Sequence, residues 1–271
     1  MIWVNGSLVA NDAATVSVLD HGLTVGDGVF ETVKAEDGRL FALTRHLERL
    51  TRSARGLGLP DPDHDLVREA CEQVVAANPM PLGRLRVTYT GGTSPLGSER
   101  GDQGTSLVVA LGTAARRADT TAVVTVPWRR NEHSAVAGLK TTSYAENVVA
   151  LAAAHRAGAT EALFANTAGQ LCEGTGSNVF VVLGGRLLTP TLAAGCLAGI
   201  TRRLVVEWCD AEEVDLPLSV LAQAEEVFLT STLRDVQAVT RIDGRELPGP
   251  GPVTAKAMIR FAERSADDLD P

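Results

Sequence analysis

The chain has 271 residues, of which 45% are hydrophobic, and its formal net charge at pH 7 is −8. This length and apolar content suit one large domain or two ordinary ones, with enough apolar side chains for a substantial core. The acidic balance argues against nucleic acid or an anionic membrane as the main partner, and no apolar run is long enough to predict a transmembrane helix.

Turn residues and hydrophobic spacing predict strands and helices in the first part of the chain. Asn5-Gly6 and the segment 36–38 each predict a β-hairpin. Helices are predicted over 44–55, with Thr44 as the N-cap, and over 65–77. Strands are predicted at 84–90 and 106–111, separated by a glycine-rich loop over 91–104.

The polar segment 114–119 predicts a boundary between a smaller domain, residues 1–115, and a larger one, residues 119–271. Hairpins mixed with helices, without regular βαβ alternation, favour the α+β class for both domains. A capping box formed by Ser143 and Glu146 predicts the start of a helix. The second part is predicted to contain strands at 121–128, 161–165, 171–173, 177–183, 186–188 and 226–229, and helices at 144–157, 201–209, 218–224 and 253–264.

Cysteine and histidine spacing gives no indication of a metal site. The four cysteines form no Cys-x-x-Cys pair, and the five histidines lack the spacing of zinc ligands, so no metal is expected. The amino terminus has no basic stretch followed by a long apolar run, so no signal peptide is expected. These features predict a soluble, cytoplasmic protein.

Lys140 is one of only three lysines in the sequence, against 22 arginines. Its neighbours are apolar, small or hydroxyl-bearing, with no adjacent carboxylate. Burial removes the hydration of an ammonium group and favours the neutral amine, which is the form that Schiff-base chemistry requires. The alternative is a surface lysine at a strand end. Lys140 is therefore the first candidate for a covalent catalyst.

If the lysine holds pyridoxal phosphate, a carboxylate must keep the pyridine nitrogen protonated. Glu173 is the candidate, because it lies between Cys172 and Gly174 beside a predicted strand, an unusual place for a solvated acid. The alternative is an edge-strand glutamate next to a glycine bulge.

A phosphate group would need backbone N–H groups, hydroxyls and an arginine. The glycine-rich turn before Ile200 and Thr201 leads into a helix, whose free N–H groups and dipole favour an anion. Ser231 and Thr232 offer hydroxyls after a strand, and Arg49 lies within a predicted apolar helix face. Each signal alone also fits an ordinary capped helix or a side chain that extends along the surface.

In combination and in this order, these motifs resemble the class IV aminotransferase family of fold-type IV pyridoxal-phosphate enzymes. That family contains branched-chain aminotransferases, D-amino-acid aminotransferases and 4-amino-4-deoxychorismate lyases. The resemblance extends from about residue 3 to about residue 240. The matching stretches are residues 20–23, 26–32, His46-Leu47-Glu48-Arg49-Leu50 with 53–54, Leu139-Lys140, 161–163, Glu173-Gly174-Thr175-Gly176-Ser177-Asn178-Val179-Phe180, Gly199-Ile200-Thr201-Arg202, and Ser231-Thr232 ahead of Val239.

The resemblance implies the two-domain α+β architecture of D-amino-acid aminotransferases, with pyridoxal 5'-phosphate between the domains. It also implies a homodimer in which each site borrows a loop from the partner. By the same resemblance, Lys140 forms the Schiff base with the cofactor and moves the substrate proton, and Glu173 pairs with the pyridine nitrogen. The residues that would hold the phosphate are Arg49, Ile200, Thr201, Ser231 and Thr232.

The strand at 84–90 and the loop after it favour one branch of the family. Branched-chain aminotransferases usually carry Tyr-x-Arg on this strand, and D-amino-acid aminotransferases carry Arg-x-His just after it. This chain has Tyr89-Thr90-Gly91 and a glycine-rich loop that ends in Arg100-Gly101, which is more similar to the lyases. We therefore predict a 4-amino-4-deoxychorismate lyase that forms 4-aminobenzoate and pyruvate.

Two alternatives stay open. The first is a transaminase that acts on branched-chain or D-amino acids with 2-oxoglutarate, and the second is a non-catalytic relative that binds a phosphorylated ligand. The substrate, in either enzyme, is a small anionic molecule. Its predicted contacts are His21, Val25, Tyr89 and Arg100.

Overall fold

A computed structural model describes residues 1–271, which form two compact units. Unit 1 consists of Met1–Ala115, Leu139–Ser143 and Leu269–Pro271, and unit 2 consists of Arg116–Gly138 and Tyr144–Asp268. Lys140 therefore belongs to unit 1, whereas the sequence prediction groups it with Glu173 in one domain. None of the helices combines the length and the hydropathy that crossing a bilayer requires.

Unit 1 contains a six-stranded sheet in which every neighbouring pair is antiparallel. Its strands are β1 (Ile2–Val4), β2 (Ser7–Val9), β3 (Gly28–Glu36), β4 (Arg39–Leu40), β5 (Leu82–Thr90) and β6 (Ser106–Thr113). Their order across the sheet is β2-β1-β6-β5-β3-β4. Both predicted hairpins are confirmed: Asn5 and Asp37 adopt φ values of 45° and 48°, each followed by a glycine with positive φ, as tight hairpin turns require.

Helices α2 (Leu43–Gly56) and α3 (His64–Ala77) cover one face of this sheet. The single-turn helix α1 (His21–Thr24) lies beside Thr90 at the end of β5. Val29 and Leu85 belong to the same buried apolar cluster as Leu47 of α2. Side chains alternate across a strand, so Phe30 of β3 and Arg86 of β5 lie on the opposite face.

The start of α2 differs from the prediction. The helix begins after Ala42, which has a φ of 53°, and no side chain caps it. Thr44 lies inside the helix and donates its backbone N–H and its hydroxyl to Asp270, at 2.8 and 2.6 Å. The predicted Thr44 N-cap is wrong because a carboxylate 226 residues away binds these donors.

Unit 2 contains a nine-stranded mixed sheet. The strands are β7 (Thr120–Arg130), β8 (Glu161–Asn166), β9 (Leu171–Gly174), β10 (Asn178–Leu183), β11 (Arg186–Thr189), β12 (Glu212–Glu213), β13 (Glu226–Ser231), β14 (Asp235–Ile242) and β15 (Arg245–Glu246). Their order is β12-β11-β10-β13-β14-β7-β8-β9, with β15 paired to β14. The helices are α4 (Ala145–Arg156), α5 (Ile200–Cys209) and α6 (Pro252–Asp267).

Two features of unit 2 differ from the prediction. Central strand β14 was not predicted, because it contains Gln237 and Arg241, whose polar groups find backbone partners far along the chain. The predicted capping box is wrong: α4 has Tyr144 at its N-cap position with no side-chain hydrogen bond. The Ser143 hydroxyl donates instead to the Gly26 carbonyl oxygen, at 3.2 Å.

Candidate active site

In unit 1, the backbone on both sides of Lys140 is fixed. Its carbonyl oxygen accepts from the Phe30 N–H at 2.9 Å, and its N–H donates to the Ser53 hydroxyl oxygen at 3.1 Å. Thr141 forms an isolated β-bridge with Val29. The side chain of Lys140 is half-buried, and its Nζ lies 4.2 Å from the centre of the Phe30 ring. The lysine is thus held against β3 and α2 by main-chain bonds that do not involve its amine.

Arg49 lies four residues before Ser53 on α2 and therefore on the same face of that helix. It is buried, and its Nε and Nη2 donate to the two carboxylate oxygens of Glu31 at 2.8 and 2.7 Å. His46 Nδ1 lies 2.6 Å from Glu31 Oε2. Burial alone would raise the pKa of Glu31, but Arg49 and His46 outweigh this effect and hold the pKa well below its usual range.

The buried Glu31–His46–Arg49 cluster predicts a loss of stability in acid. Burial lowers the pKa of His46 below 6.5, and the pKa of Glu31 lies below 4.5. Below these values the unfolded chain binds more protons than the folded chain. The free energy of unfolding should therefore decrease below about pH 6.5 and more steeply below about pH 4.5. Urea unfolding between pH 7.5 and 3.5 measures this dependence. Glu31→Gln should reduce the slope below pH 4.5, and an unchanged slope would contradict the assignment.

In unit 2, Glu173 lies at the end of β9 in a polar setting. One carboxylate oxygen accepts from the Leu197 N–H at 2.9 Å, and the other lies 3.4 Å from Arg130 Nε. Arg130 also donates to Glu146 at 2.6 Å and lies over the Phe164 ring, 4.2 Å from its centre. Glu173 therefore belongs to a fixed ion-pair network and is not a loosely solvated surface acid.

The start of α5 lies in the same region of unit 2. Asn178 pairs with Thr230 across β10 and β13, and its side-chain amide donates to the Leu197 carbonyl oxygen at 2.9 Å. A Cβ on Gly199 would lie 2.0 Å from Asn178 Oδ1, so only glycine allows this close approach. Gly199 provides no side-chain cap for α5, and the buried Thr230 hydroxyl has no hydrogen-bond partner.

These groups fit a phosphorylated pyridine cofactor. The uncapped N–H groups at Ile200 and Thr201 suit an anion, and Ser231 and Thr232 directly follow Thr230. Glu173, which shares Leu197 with this region, suits a protonated ring nitrogen. The specific roles of these residues stay predictions.

A buried carboxylate fixes the loop that follows Glu173. Glu161 is 2% exposed and accepts from the Thr175 N–H at 2.9 Å, from the Thr175 hydroxyl and from the Ser177 hydroxyl at 2.9 Å. Arg234 Nη2 lies 3.5 Å from Glu161 Oε2. Because Arg234 lies in the turn that follows Ser231 and contains Thr232, Glu161 connects two of the predicted cofactor-binding segments of unit 2.

Glu161→Ala should lower the free energy of unfolding by about 3 kcal/mol, because it removes the acceptor of several buried donors and leaves the buried Arg234 without a neighbouring carboxylate. Glu225→Ala is the matched control. Glu225 also accepts two backbone N–H groups, from Gly184 and Gly185, but it is exposed, so its loss should cost about 1 kcal/mol or less. Chemical denaturation of both variants measures the difference, and equal costs would contradict the proposed importance of Glu161.

The four predicted substrate contacts lie in different settings within unit 1. His21 is fully buried, with Nε2 3.1 Å from the Pro95 carbonyl oxygen, and Val25 is 47% exposed. Tyr89 is buried in the helix-covered core. Arg100 donates through Nε and Nη2 to Asp27 at 2.7 and 2.6 Å, and to the carbonyl oxygens of residues 57 and 58. The Arg100 guanidinium holds the pKa of Asp27 below its usual range. Because Arg100 belongs to the glycine-rich loop, its hydrogen bonds to residues 27, 57 and 58 anchor that loop to the rest of unit 1.

Sequence reasoning assigned no role to Glu31, His46, Arg130 or Glu161. Glu31 and His46 lie within stretches that match the family, but a motif match does not reveal that they form a cluster with Arg49. Arg130 stands at the end of a strand, where a charged residue usually contacts solvent. Glu161 is the first residue of a predicted apolar strand and lies within a stretch that matches the family, but neither pattern reveals that its carboxylate is buried and binds the loop after Glu173.

Known proteins resemble this chain over nearly its whole length. The model of the family amino-transferase class IV matches residues 28–242. A putative branched-chain-amino-acid aminotransferase of Methanocaldococcus jannaschii is 33% identical, covering 97% of this chain and 95% of that protein. A bifunctional aminodeoxychorismate lyase / D-amino acid transaminase of Mycobacterium tuberculosis is 30% identical, covering 92% and 93%.

A solved structure of a relative has the same fold as this chain. The branched-chain aminotransferase of Thermoproteus uzoniensis, crystallised with norvaline, superposes with a TM-score of 0.91 at 29% identity, covering 97% of this chain and 93% of that one. These matches confirm the predicted α+β fold of type IV and pyridoxal phosphate as the cofactor. The chain belongs to the class IV aminotransferase family of pyridoxal-phosphate-dependent enzymes.

Proposed function

We propose that this enzyme is a 4-amino-4-deoxychorismate lyase that uses Lys140 as its catalytic base. The observation that carries the proposal is the position of Lys140, whose backbone is bonded on both sides while its amine lies over the Phe30 ring. Such preorganisation suits a group that must reach one carbon atom repeatedly. The glycine-rich loop fastened by Arg100 supports the lyase branch, because its sequence is similar to that of the lyases.

Different residues of this chain would have different roles in the reaction. Pyridoxal phosphate, when bound, supplies an aldehyde that joins the substrate amine and a ring that accepts electrons. Lys140 would hold the cofactor before the reaction and then, as a free amine, take the proton from the carbon that bears the substrate nitrogen. Glu173 would hold the proton on the ring nitrogen.

Phosphate binding would fix the cofactor in place. The N–H groups of Ile200 and Thr201, the hydroxyls of Ser231 and Thr232, and Arg49 are the proposed contacts. Removal of the proton from the carbon that bears the nitrogen and cleavage of the neighbouring ring carbon–oxygen bond would make the substrate ring aromatic. The enolpyruvate released would take up a proton to become pyruvate. The products are 4-aminobenzoate and pyruvate, and no oxidant or second amino acceptor is needed.

A transaminase is the second candidate, because the relative of Methanocaldococcus jannaschii is named as a putative branched-chain-amino-acid aminotransferase and that of Mycobacterium tuberculosis as a bifunctional lyase and D-amino acid transaminase. The same lysine would remove the same proton, but the substrate would leave as a keto acid, and its amino group would pass by way of the bound cofactor to 2-oxoglutarate, which becomes glutamate. The two reactions therefore share Lys140 and Glu173 and differ in the pocket around the substrate.

Two assays on the purified holoenzyme separate the candidates. The first supplies 4-amino-4-deoxychorismate and measures 4-aminobenzoate and pyruvate. The second supplies D-alanine or L-leucine with 2-oxoglutarate and measures glutamate. We expect product in the first assay. Turnover in the second assay alone would overturn the lyase and establish the transaminase, and turnover in both would identify a bifunctional enzyme.

We also propose that the enzyme is a cytoplasmic homodimer. Unit 1 exposes three large apolar side chains, Val18, Leu23 and Leu96, which are 77%, 67% and 78% exposed. Exposed apolar side chains of this kind favour association with a second copy of the chain that would bury them. Light scattering coupled to size-exclusion chromatography tests the dimer. A mass near 28.5 kDa, that of one chain, would contradict it.

A further inference from the structure

The segment 139–143, which carries the proposed catalytic lysine, lies between two walls within unit 1. On one side, its Thr142 donates its hydroxyl to the Gly26 carbonyl oxygen at 3.0 Å and its backbone N–H to the Gly28 carbonyl oxygen at 2.8 Å. Because both acceptors are main-chain oxygens, the position of the segment depends on the course of the backbone at residues 26–30, the strand wall.

Helix α2 forms the second wall. The Ser53 hydroxyl oxygen accepts from the Lys140 N–H at 3.1 Å, and a Cβ on Gly56 would lie 2.6 Å from both methyl carbons of Leu139. Ser53 and Gly56 are three residues apart and therefore lie on one face of the helix. A shift of α2 relative to the strand wall would thus move the Lys140 backbone.

One arginine connects the two walls. Arg100 donates through Nε and Nη2 to the two carboxylate oxygens of Asp27, at 2.7 and 2.6 Å. Its Nη1 and Nη2 also donate to the carbonyl oxygens of Gly58 and Leu57, at 2.7 and 2.6 Å. Asp27 belongs to the strand wall, and the two carbonyl groups directly follow α2. The end of a helix favours a cation because its last carbonyl groups have no partner within the helix.

The guanidinium group suits this bridge better than other side chains would. Its planar fork binds a carboxylate through two hydrogen bonds, which fix orientation as well as distance. The side chain of Arg100 is 35% exposed and that of Asp27 is 14% exposed, so water screens the pair and limits its contribution to overall stability. Its main effect is therefore on the geometry of the two walls.

We propose that the Arg100–Asp27 pair positions Lys140 by holding the two walls of its segment at a fixed separation. This inference rests on the proposed role of Lys140 and applies to both candidate reactions. Arg100 and Asp27 would act through Lys140 as positioning residues. A base must stay within hydrogen-bond reach of the proton that it removes, so a small displacement of its backbone lowers the rate.

Backbone hydrogen exchange tests the pair without relying on activity. The holoenzyme is incubated in deuterated buffer, and mass spectrometry measures exchange in peptides that cover residues 139–143. The N–H groups of Lys140 and Thr142 are bonded to the two walls and exchange when the segment opens. Arg100→Gln and Asp27→Asn should each raise the exchange rate of these peptides by about 10-fold. The double variant should exchange no faster, because each substitution removes the same pair.

Arg55→Gln is the matched control. Arg55 lies in the last turn of α2 and donates through the same two nitrogens to Asp61, at 2.8 and 2.6 Å. Both partners are exposed, and Asp61 does not belong to the strand wall, so this variant should exchange like the wild type. If Arg100→Gln does not fold, Arg100→Lys replaces it and should show an intermediate rate, because lysine keeps the charge without the fork.

Steady-state kinetics separate positioning from the predicted substrate contact of Arg100. A misplaced base lowers kcat, whereas the loss of a contact that only binds the substrate raises KM. We expect Arg100→Gln and Asp27→Asn to lower kcat by about 10-fold and to keep KM within about twofold of the wild type. A raised KM with the wild-type kcat would overturn the positioning role.

Two exchange results would also overturn the inference. The first is unchanged exchange at residues 139–143 in Arg100→Gln, and the second is an equal rise in Arg55→Gln, which would indicate a general loosening of α2. Both results leave the proposed function intact as long as borohydride attaches the cofactor to Lys140 in the wild type. A wild type that borohydride leaves unlabelled at Lys140 would overturn the proposed function itself, whatever the exchange rates are.

Discussion

Lys140→Ala is expected to lower turnover by about 10³-fold or more without unfolding the protein. The amine would serve both as the covalent attachment for the cofactor and as the base, and loss of a positioned base alone typically costs 10²- to 10⁴-fold. The fold should persist, because Lys140 contributes its backbone N–H and carbonyl oxygen to the bonds with Ser53 and Phe30. Steady-state kinetics and thermal unfolding of the same preparation measure the two effects.

Chemical labelling gives this prediction a control that does not depend on activity. Borohydride should reduce the bond between the cofactor and the wild-type protein, and mass spectrometry should locate the added mass on Lys140. Lys256→Ala is the matched variant, since Lys256 is exposed on α6, and it should be labelled and active like the wild type. A Lys140→Ala enzyme with the parental rate would contradict the assignment of the base.

Glu173→Gln is expected to lower turnover by about 10²- to 10³-fold, as the removal of one preorganised charged group commonly does. Glutamine has nearly the same size, and its carbonyl oxygen can still accept from the Leu197 N–H. It carries no negative charge, however, and can therefore no longer hold a proton on a ring nitrogen by charge. Rates at saturating cofactor, with the absorbance spectrum of the bound cofactor, measure the effect.

Glu146→Gln separates this role from a structural one. Glu146 and Glu173 both contact Arg130, but Glu146 lies on the exposed side of the arginine. If Glu173 acted only by positioning Arg130, the two variants would be similarly impaired. We expect Glu146→Gln to retain most of the activity, and comparable losses in both variants would refute the role of Glu173 at the ring.

The sequence predicted those parts of the site that depend on local patterns. The turn at Asn5-Gly6 and the buried face of α2 follow from glycine placement and helical spacing, and the order of the motifs around Lys140 and Glu173 indicated the family. The environment of Arg49 was not predictable, because its partner Glu31 lies on a different element. Arg100 is a further example: its sequence position did not predict that its donors bind Asp27 and backbone carbonyl oxygens, and its role as a substrate contact stays a prediction.

The sequence by itself determined the family and the cofactor, because these depend on residue types in a fixed order, and it predicts Lys140 as the lysine that carries the chemistry. Only the tertiary structure decided which side chains surround that lysine. The register of β3 and β5 places Arg86 on the ring that also contacts Lys140, although 54 positions separate the two residues. Such neighbours depend on which distant strands pair and in which register. The alternation of side chains along a single strand is compatible with many partner strands, so a local sequence pattern does not predict the pairing.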